Sequence, residues 1–595
     1  MADAKKIDSS SVPVKELLKR FEEAKNARKN YEADWDENYD YYQGNQWAGV
    51  DKVAWFQSEP VYNKIFEFVE IHRAYLSDNR WGVDVVPASL PKGLYNIARD
   101  ANPMAQTQQA VGIEEDIIAM VDKVNKLLDF LWLQNRMQSK LAEVILYTFL
   151  YGTGLLKCSF DANDVGDSGI GQIETKVISP WYVFPDPNAT SVHDASFIIE
   201  HHPVTYRWIL ERYPEMADEV KSNGLGSTSE YYERRGTRGR GSANNEEAKF
   251  VDVYECWYND SSVVEDSEGD TPKLAYPSGR MTLMTSTGVV LEDKPNPYSM
   301  FPYIRFVEIP RPGEFFGDCT VSRVKDIQQN INTILRTIID NGLWLVHGIW
   351  VVDTTSGLDP NALAGFAPRD VIAKNPGTEA RRDVGEALPQ HVFQLLEHEV
   401  DAFDKVAGTP DVLKGIVPGR QPVATTQLQQ EAGEIRTRER QRRIEEGLED
   451  LGSLWLDIAS EYWNDKRIIR NKRMLGGFEM FEMNKADLQE WKFDIHVVPG
   501  STSPSNNAQQ LEKAFQLMER AGVQIPPDYL VELAQLPGLQ AAMGEPLPQQ
   551  VDNGQVDAGG AQPMDAQPLP QDQAQPTDMG APQPPLQDAG QPPLM

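Results

Sequence analysis

The chain has 595 residues, 41% of them hydrophobic, and a formal net charge of -32, so it can form several compact units with buried cores. Nonspecific grip on nucleic acid rests on Lys and Arg neutralising phosphates, so a chain this acidic is excluded as a coat for DNA but not as a conduit that lets DNA pass. Cys158, Cys256 and Cys319 are too few and too scattered for a disulfide framework or a zinc site, which fits assembly in a reducing cytoplasm, and no apolar run reaches the roughly 18 residues that cross a bilayer.

Leu17, Phe21, Ala24, Tyr31, Trp35 and Tyr42 recur at helical spacing and predict an amphipathic helix over 14–42, stopped at "YYQGNQW" by Gly44. A second helix is predicted over 62–76, then a Pro/Gly/Asn/Gln-rich loop over 82–110. Helices over 113–133 and 138–151 lead through "YGTGLLKCSFD" into a β-rich region containing "IETKVISPWYVFPDP", "DASFIIEHH", "KFVDVYECWY" and "RMTLMTSTGVVLE". The segment 222–247, with "RRGTRGRG", is read as a mobile loop rather than a nucleic-acid contact, because its arginines have no aromatics between them.

After "PRPGEFFGD", the residues Val324, Ile327, Ile331, Ile334 and Ile338 form one seam of a helix over 319–341. A β-like interlude from "LWLVHGIWVVD" to "RDVIAKNPG" separates it from a second helix lined by Val392, Leu396, Val400, Phe403 and Ala407. The Gly/Pro-rich segment 408–424 must loop. A helix over 425–463, roughly 60 Å long at 1.5 Å per residue, carries Ile444, Leu448, Leu451, Trp455, Ile458 and Tyr462 on one face, while "RTRERQRR" (436–443) reads as charged all round and ion-paired with Glu434, Glu439 and Glu445. Beyond Gly544 the Pro/Gln-rich tail has no composition for a core and is expected to be disordered.

No GxxxxGK[ST], HExxH or GxSxG occurs, so no ATPase, metalloprotease or nucleophile-elbow chemistry is written here, and no cofactor or catalytic residue is assigned. His391 and His398 share a helix face without a nearby Cys and read as surface or packing residues. "EDSEGD" (265–270) lacks EF-hand spacing and reads as a solvated turn.

Taken in order, "YYQGNQW", "NKIFEFVEIHRAYLSDNR", "FLYGTGLLKCSFD", "SPWYVFPDPNA" and "RPGEFFGDCTVSRVKDIQQNINTILRTIIDN" resemble the portal proteins of tailed bacteriophages, particularly the larger type of short-tailed phages, over about residues 30–520. The resemblance implies an α+β, mainly helical portal fold with wing, stem, clip and crown regions, assembled as a ring around a central channel. It divides the chain into N-terminal helices and wing (1–318), first stem helix (319–341), clip (342–388), second stem helix (389–407), tunnel loop (408–424), long helix and remaining wing (425–499), crown (500–544) and tail (545–595). An extended helical barrel is not expected from so short and Pro/Gln-rich a C-terminal region.

The implied protein is not an enzyme. It is a dodecameric homo-oligomer in the virion's capsid vertex, assembled in the host bacterial cytoplasm, with terminase large subunit, major capsid protein, scaffolding protein, head-tail adaptors and passing double-stranded DNA as partners, and no membrane. Arg369, Lys374, Arg381 and Arg382 are the expected docking cations of the clip, and Lys414 and Arg420 the DNA-facing cations of the tunnel loop. On the stem, Arg323, Asp326, Asn330, Thr333 and Arg336 lie away from the isoleucine seam, and Glu397, Glu399, Asp401 and Asp404 make the second helix acidic, so carboxylates facing the lumen would repel phosphate. The competing readings are a tail adaptor or other virion protein, and the packaging ATPase-nuclease, which the missing phosphate loop disfavours.

Overall fold

The computed structural model describes residues 12–48, 57–77, 83–89, 105–162, 171–222, 249–264, 273–347, 349–352, 380–383, 386–409, 435–463, 467–472, 478–483, 485–490 and 492–497, with residues 515 and 518. All of them belong to one contact unit, Met1–Ala542. The fold is mixed α/β, more than half helical, without a closed barrel among the described residues.

Helix α1 (Val14–Gln43) buries Leu17, Phe21, Ala24, Arg28, Trp35 and Asn38, a row at helical spacing, and ends where Gly44 takes a left-handed φ of 86°. Helix α2 (Lys64–Ser77) follows. Strand β1 (Val83–Ser89) corrects the expected loop over 82–110: it pairs antiparallel with β16 (Lys492–Val497), Val85 facing Ile495. Helix α3 (Ala105–Gln134) also starts earlier than expected; Ala and Gln are good helix formers even where no apolar stripe announces them. Helix α4 (Met137–Tyr151) ends at Gly152.

Two antiparallel sheets carry the β region. The first has three strands in the order β11 (Tyr303–Val307), β2 (Thr153–Asp161), β3 (Gln172–Ile178), and the second five in the order β10 (Val290–Pro295), β9 (Arg280–Thr285), β6 (Phe250–Tyr258), β5 (Phe197–Thr205), β4 (Val183–Pro185). Strand side chains alternate between faces. Phe197 and Ile199 of β5, with Tyr254, Cys256 and Tyr258 of β6, therefore meet Leu17, Phe21 and Ala24 of α1. The intervening Ile198, Val253 and Trp257 join the main core with Leu155 and Leu156 of β2. Two short helices, α5 (Tyr206–Arg212) and α6 (Pro214–Ser222), follow β5, and β7 (Val263–Val264) pairs with β8 (Lys273–Leu274).

Helix α7 (Thr320–His347) runs past the expected end into "LWLV", which is helical rather than β-like; among the described residues of the interlude, β12 (Ile349–Val352) pairs antiparallel with β13 (Ala380–Asp383). Helix α8 (His391–Ala407) packs on α7. Helix α9 (Ile435–Tyr462) buries Leu448, Leu451, Leu454, Trp455 and Ile458. It lies over β2, β3 and β11, where Trp455 Nε1 donates to Thr175 Oγ1 at 2.9 Å. Its N-terminal half is not charged all round: Thr437 and Gln441 are buried and Arg440 turns inward. Strands β14 (Arg467–Lys472) and β15 (Phe478–Met483) form a hairpin before the short α10 (Lys485–Glu490) and β16.

Candidate functional site

The α7/α8 pair is the feature that a monomer leaves unfinished. The two helices run antiparallel: Lys64 joins Gln328 of α7 to Asp404 of α8, while Asn341 Nδ2 donates to the Glu386 carbonyl at 3.1 Å beyond the other end of α8. Val324 and Ile331 meet Phe403 and Ala407 in the core, and Leu335, Leu396 and Val400 continue the seam half-buried. Away from the core the pair bares Ile339, Leu343, Trp344, Val346, Phe393 and Leu395, with Val346 67% exposed. Sequence reading missed most of these, although Ile339, Leu343 and Val346 keep helical spacing.

An amide cluster fixes the root of the pair. Gln328 Nε2 donates to the Tyr62 carbonyl at 2.8 Å and to Asn332 Oδ1 at 3.2 Å, and Gln328 Oε1 accepts from Lys64 N at 3.0 Å. Asn332 Oδ1 also accepts from Tyr62 N at 3.1 Å, and its Nδ2 donates to Gln46 Oε1 at 2.5 Å. Gln46 and Asn63 are bonded to one another and to the end of α1. Residues 46–48 and 57–64 thus strap α7: Arg336 stacks 3.4 Å from the Trp47 ring centre and donates to the Ser58 carbonyl, and Asp340 accepts from Ser58.

Arg440 ties the root of the pair, the start of α7 and the end of α8, to the body. Its Nε lies 3.2 Å from Glu308 Oε1, and its Nη2 donates to Thr320 Oγ1 at 2.9 Å and to the Ala407 carbonyl at 3.3 Å. Glu308 also accepts from Thr320 N at 2.9 Å, placing a carboxylate at the start of α7, where its charge suits the helix dipole. Burial pushes the Glu308 carboxyl upward against the opposing pull of Arg440. Beside Arg440, His72 is fully buried; desolvation and then the guanidinium lower its pKa to about 4.

Of the outer faces expected from sequence, Arg323, Asp326, Asn330 and Thr333 of α7 and Glu397 and Asp401 of α8 are exposed, Arg323 pairing with Asp318, whereas Arg336 and Asp404 are half-buried against Ser58, Trp47 and Lys64. Arg443 pairs with Glu439 at 2.6 Å, in line with ion pairing along 436–443. Lys414, Arg420, Arg369 and Lys374 lie outside the described residues, as do "RRGTRGRG", "EDSEGD" and the tail. Arg381 and Arg382 stand on β13, opposite Val351 and Trp350. His391 and His398 are exposed on α8.

A second cluster, unseen in the sequence, joins the two sheets. Lys157 Nζ of β2 lies 2.7 Å from both Glu200 Oε2 and Glu255 Oε2, His202 Nε2 is 3.2 Å from each carboxylate, and Tyr303 donates to Glu200 at 2.7 Å. Glu200, His202 and Glu255 have metal-ligand types within reach of one another, but the Lys157 ammonium already occupies the cation position between the carboxylates. Burial opposes the charge on His202, yet the two carboxylates lift its pKa to about 9, so it is an imidazolium rather than a ligand at neutral pH. The cluster borders a cavity of about 450 Å³ walled by Trp208, Tyr213, Trp257 and Tyr298.

A mixed α/β body carrying a rooted helix pair, apolar and exposed beyond its root, is the framework of a structural subunit. The profile of the phage P22-like portal protein family matches residues 18–591, and the chain belongs to that family. It is a phage portal protein, of a family that is structural rather than catalytic and that places it in the capsid of the virion. Comparison with curated proteins finds no match. Among the described residues no helix is long and apolar enough to cross a membrane.

Proposed function

We propose that this chain forms the ring-shaped DNA channel at one capsid vertex, with α7 and α8 as its stem, 342–388 as clip, 408–424 as tunnel loop and 500–544 as crown. A dodecamer with the clip outward would dock the terminase during packaging, then receive head-tail adaptors and pass DNA on ejection. Capsid and scaffolding proteins would meet the outer body. The observation that carries this reading is the α7/α8 pair, anchored at its root by Arg440 and the Gln328–Asn332 amides yet apolar and exposed beyond it. Exposed apolar surface on a rigid element marks a contact with another chain.

The acidic residues left exposed on α8, Glu397 and Asp401, would keep DNA from adhering to the wall. Lys414 and Arg420, repeated around the ring, would steady the duplex through phosphate contacts without reading sequence. Arg369, Lys374, Arg381 and Arg382 would meet an acidic terminase surface. Light scattering on size-exclusion fractions, with negative-stain imaging, tests the ring: the expected species has a central hole and many times 66.9 kDa. A stable monomer under all salt conditions would remove the reading. Charge reversal of the four clip cations is expected to abolish terminase pull-down while rings persist, and Lys414→Glu/Arg420→Glu to lower packaged DNA.

A further inference from the structure

The cavity beside the Lys157 cluster has room for a ligand: its volume of about 450 Å³ falls within the range of roughly 300–1,000 Å³ usual for binding pockets. Its floor is closed by Lys157 and Glu200, both buried and 2.7 Å apart. Its walls present ring faces, because their polar ends are already engaged. Tyr213 Oη donates to Glu292 at 3.0 Å and Trp257 Nε1 to Glu255 at 2.8 Å, and Tyr298 packs on Trp257 with ring centroids 6.0 Å apart.

The three carboxylates that line the cavity are all matched. Glu200 and Glu255 share Lys157 and His202, and Glu292 pairs with Lys294 at 3.1 Å. At the rim Lys176 pairs with Glu174. Two donors remain, one deep and one at the opening. His202 gives Nε2 to the carboxylates, and its Nδ1, protonated in the imidazolium, has no acceptor among the described residues. Arg212 is exposed, with its guanidinium 5.0 Å from the Trp208 ring centroid and no carboxylate partner among the described residues. Aromatic walls with a donor at the bottom suit a flat ring with an acceptor at its tip, and the unmatched rim cation suits an acid beside that ring.

We propose that this cavity is a docking pocket for an acidic, tyrosine-bearing segment of a partner protein: the tyrosine ring enters between Trp208, Trp257 and Tyr298, its hydroxyl accepts from His202 Nδ1, and a neighbouring carboxylate pairs with Arg212. A guanidinium already resting on an indole loses little freedom when it takes a carboxylate. The pocket lies within one chain, so the inference stands apart from the ring reading, and binding is counted per chain whatever the assembly.

The probe is a fluorescein-labelled peptide with the core Glu-Tyr-Glu, titrated with the full chain and followed by anisotropy. Saturable binding below about 1 mM is expected. Replacing the peptide's Tyr by Phe, or both its Glu by Gln, should each weaken binding about tenfold, the scale of a hydrogen bond to a charged group. Arg212→Ala and Trp208→Ala should do the same, Arg212→Lys should recover part of the loss, and Lys19→Ala, exposed on α1, should change nothing. Arg212 is exposed, so its variants and the peptide series carry the test if Trp208→Ala folds poorly. No saturable binding, equal affinity for the Phe or Gln peptides, or full affinity in Arg212→Ala would overturn the proposal. Free 4-hydroxyphenylacetate competing as well as the unlabelled peptide would overturn it too, because the pocket would then take a small acid rather than a protein segment.

Discussion

Gly152 and Gly317 meet backbone to backbone: a Cβ on Gly152 would lie 2.3 Å from the Gly317 carbonyl oxygen, and one on Gly317 would lie 2.8 Å from the Gly152 carbonyl oxygen. Gly317 N also donates to Thr153 Oγ1 at 2.9 Å. The turn that ends α4 therefore crosses the turn that precedes α7, and the approach sets where the helix pair leaves the body.

Gly152→Ala combines this clash with a left-handed φ of 73°, and the expected cost is about 2–4 kcal/mol from strain and overpacking together. Gly313→Ala is the control, since its φ is 80° but nothing lies within 4 Å, leaving about 1–2 kcal/mol of strain. Thermal melts should order the three proteins as wild type, Gly313→Ala, Gly152→Ala. Equal losses at both positions would mean that the backbone crossing contributes nothing.

Both glycines stand in stretches that the sequence marked, "YGTG" and "EFFGD", but only the fold shows that they touch. Amphipathic spacing was enough for the buried rows of α1 and α9, because each repeats locally; on α7 it found Val324 and Ile331, but Ile334 and Ile338 stay half-exposed while Gln328 and Asn332 are buried in their amide cluster. Strand β1 was hidden since its partner β16 lies some four hundred residues later, and four apolar-rich residues beside a Pro carry no signal of their own. The Lys157 cluster was hidden for the same reason: its cation and carboxylates stand on strands of different sheets. "LWLV" looked like a strand from composition, yet it continues the α7 face of Ile339.

Arg440→Ala strands the Glu308 carboxylate in a buried site and frees the Ala407 carbonyl. Removing one partner of a buried pair typically costs about 3–5 kcal/mol. Adding Glu308→Gln should recover part of that loss, because the unpaired charge is gone. Denaturation of the single and double variants gives the coupling, and additive losses would show that the two side chains act independently.

Two histidines set opposite limits to the stable pH range. The folded-state pKa of His202 is raised to about 9, so its contribution is fully present below the unfolded value near 6.5 and is lost as pH rises through 9. That of His72 is lowered to about 4, so the unfolded chain takes up a proton first and stability falls as pH drops from about 6.5 toward 4. His202→Gln should flatten the alkaline side of a melting-temperature profile, and His72→Phe the acid side. A profile unchanged by both substitutions would contradict the two shifts.

Asn332→Leu tests whether the amide cluster anchors the strap to α7. The substitution is close in size, but it leaves Gln46 Oε1, Tyr62 N and one bond of Gln328 Nε2 without their partner. Asn332 and Gln328 are fully buried, so water cannot readily replace what is lost, and each unsatisfied group costs about 1–3 kcal/mol. The strap should respond before the core does, because Val324, Ile331 and Phe403 hold α7 to the body independently. Hydrogen exchange read by mass spectrometry is therefore expected to accelerate in peptides covering 57–66 while those covering α9 stay protected. Asn332→Asp should loosen the same peptides, since a carboxylate can still accept from Tyr62 N but cannot donate to Gln46. Unchanged exchange over 57–66 in both variants would transfer the anchoring role to the Arg336 and Asp340 contacts with Ser58.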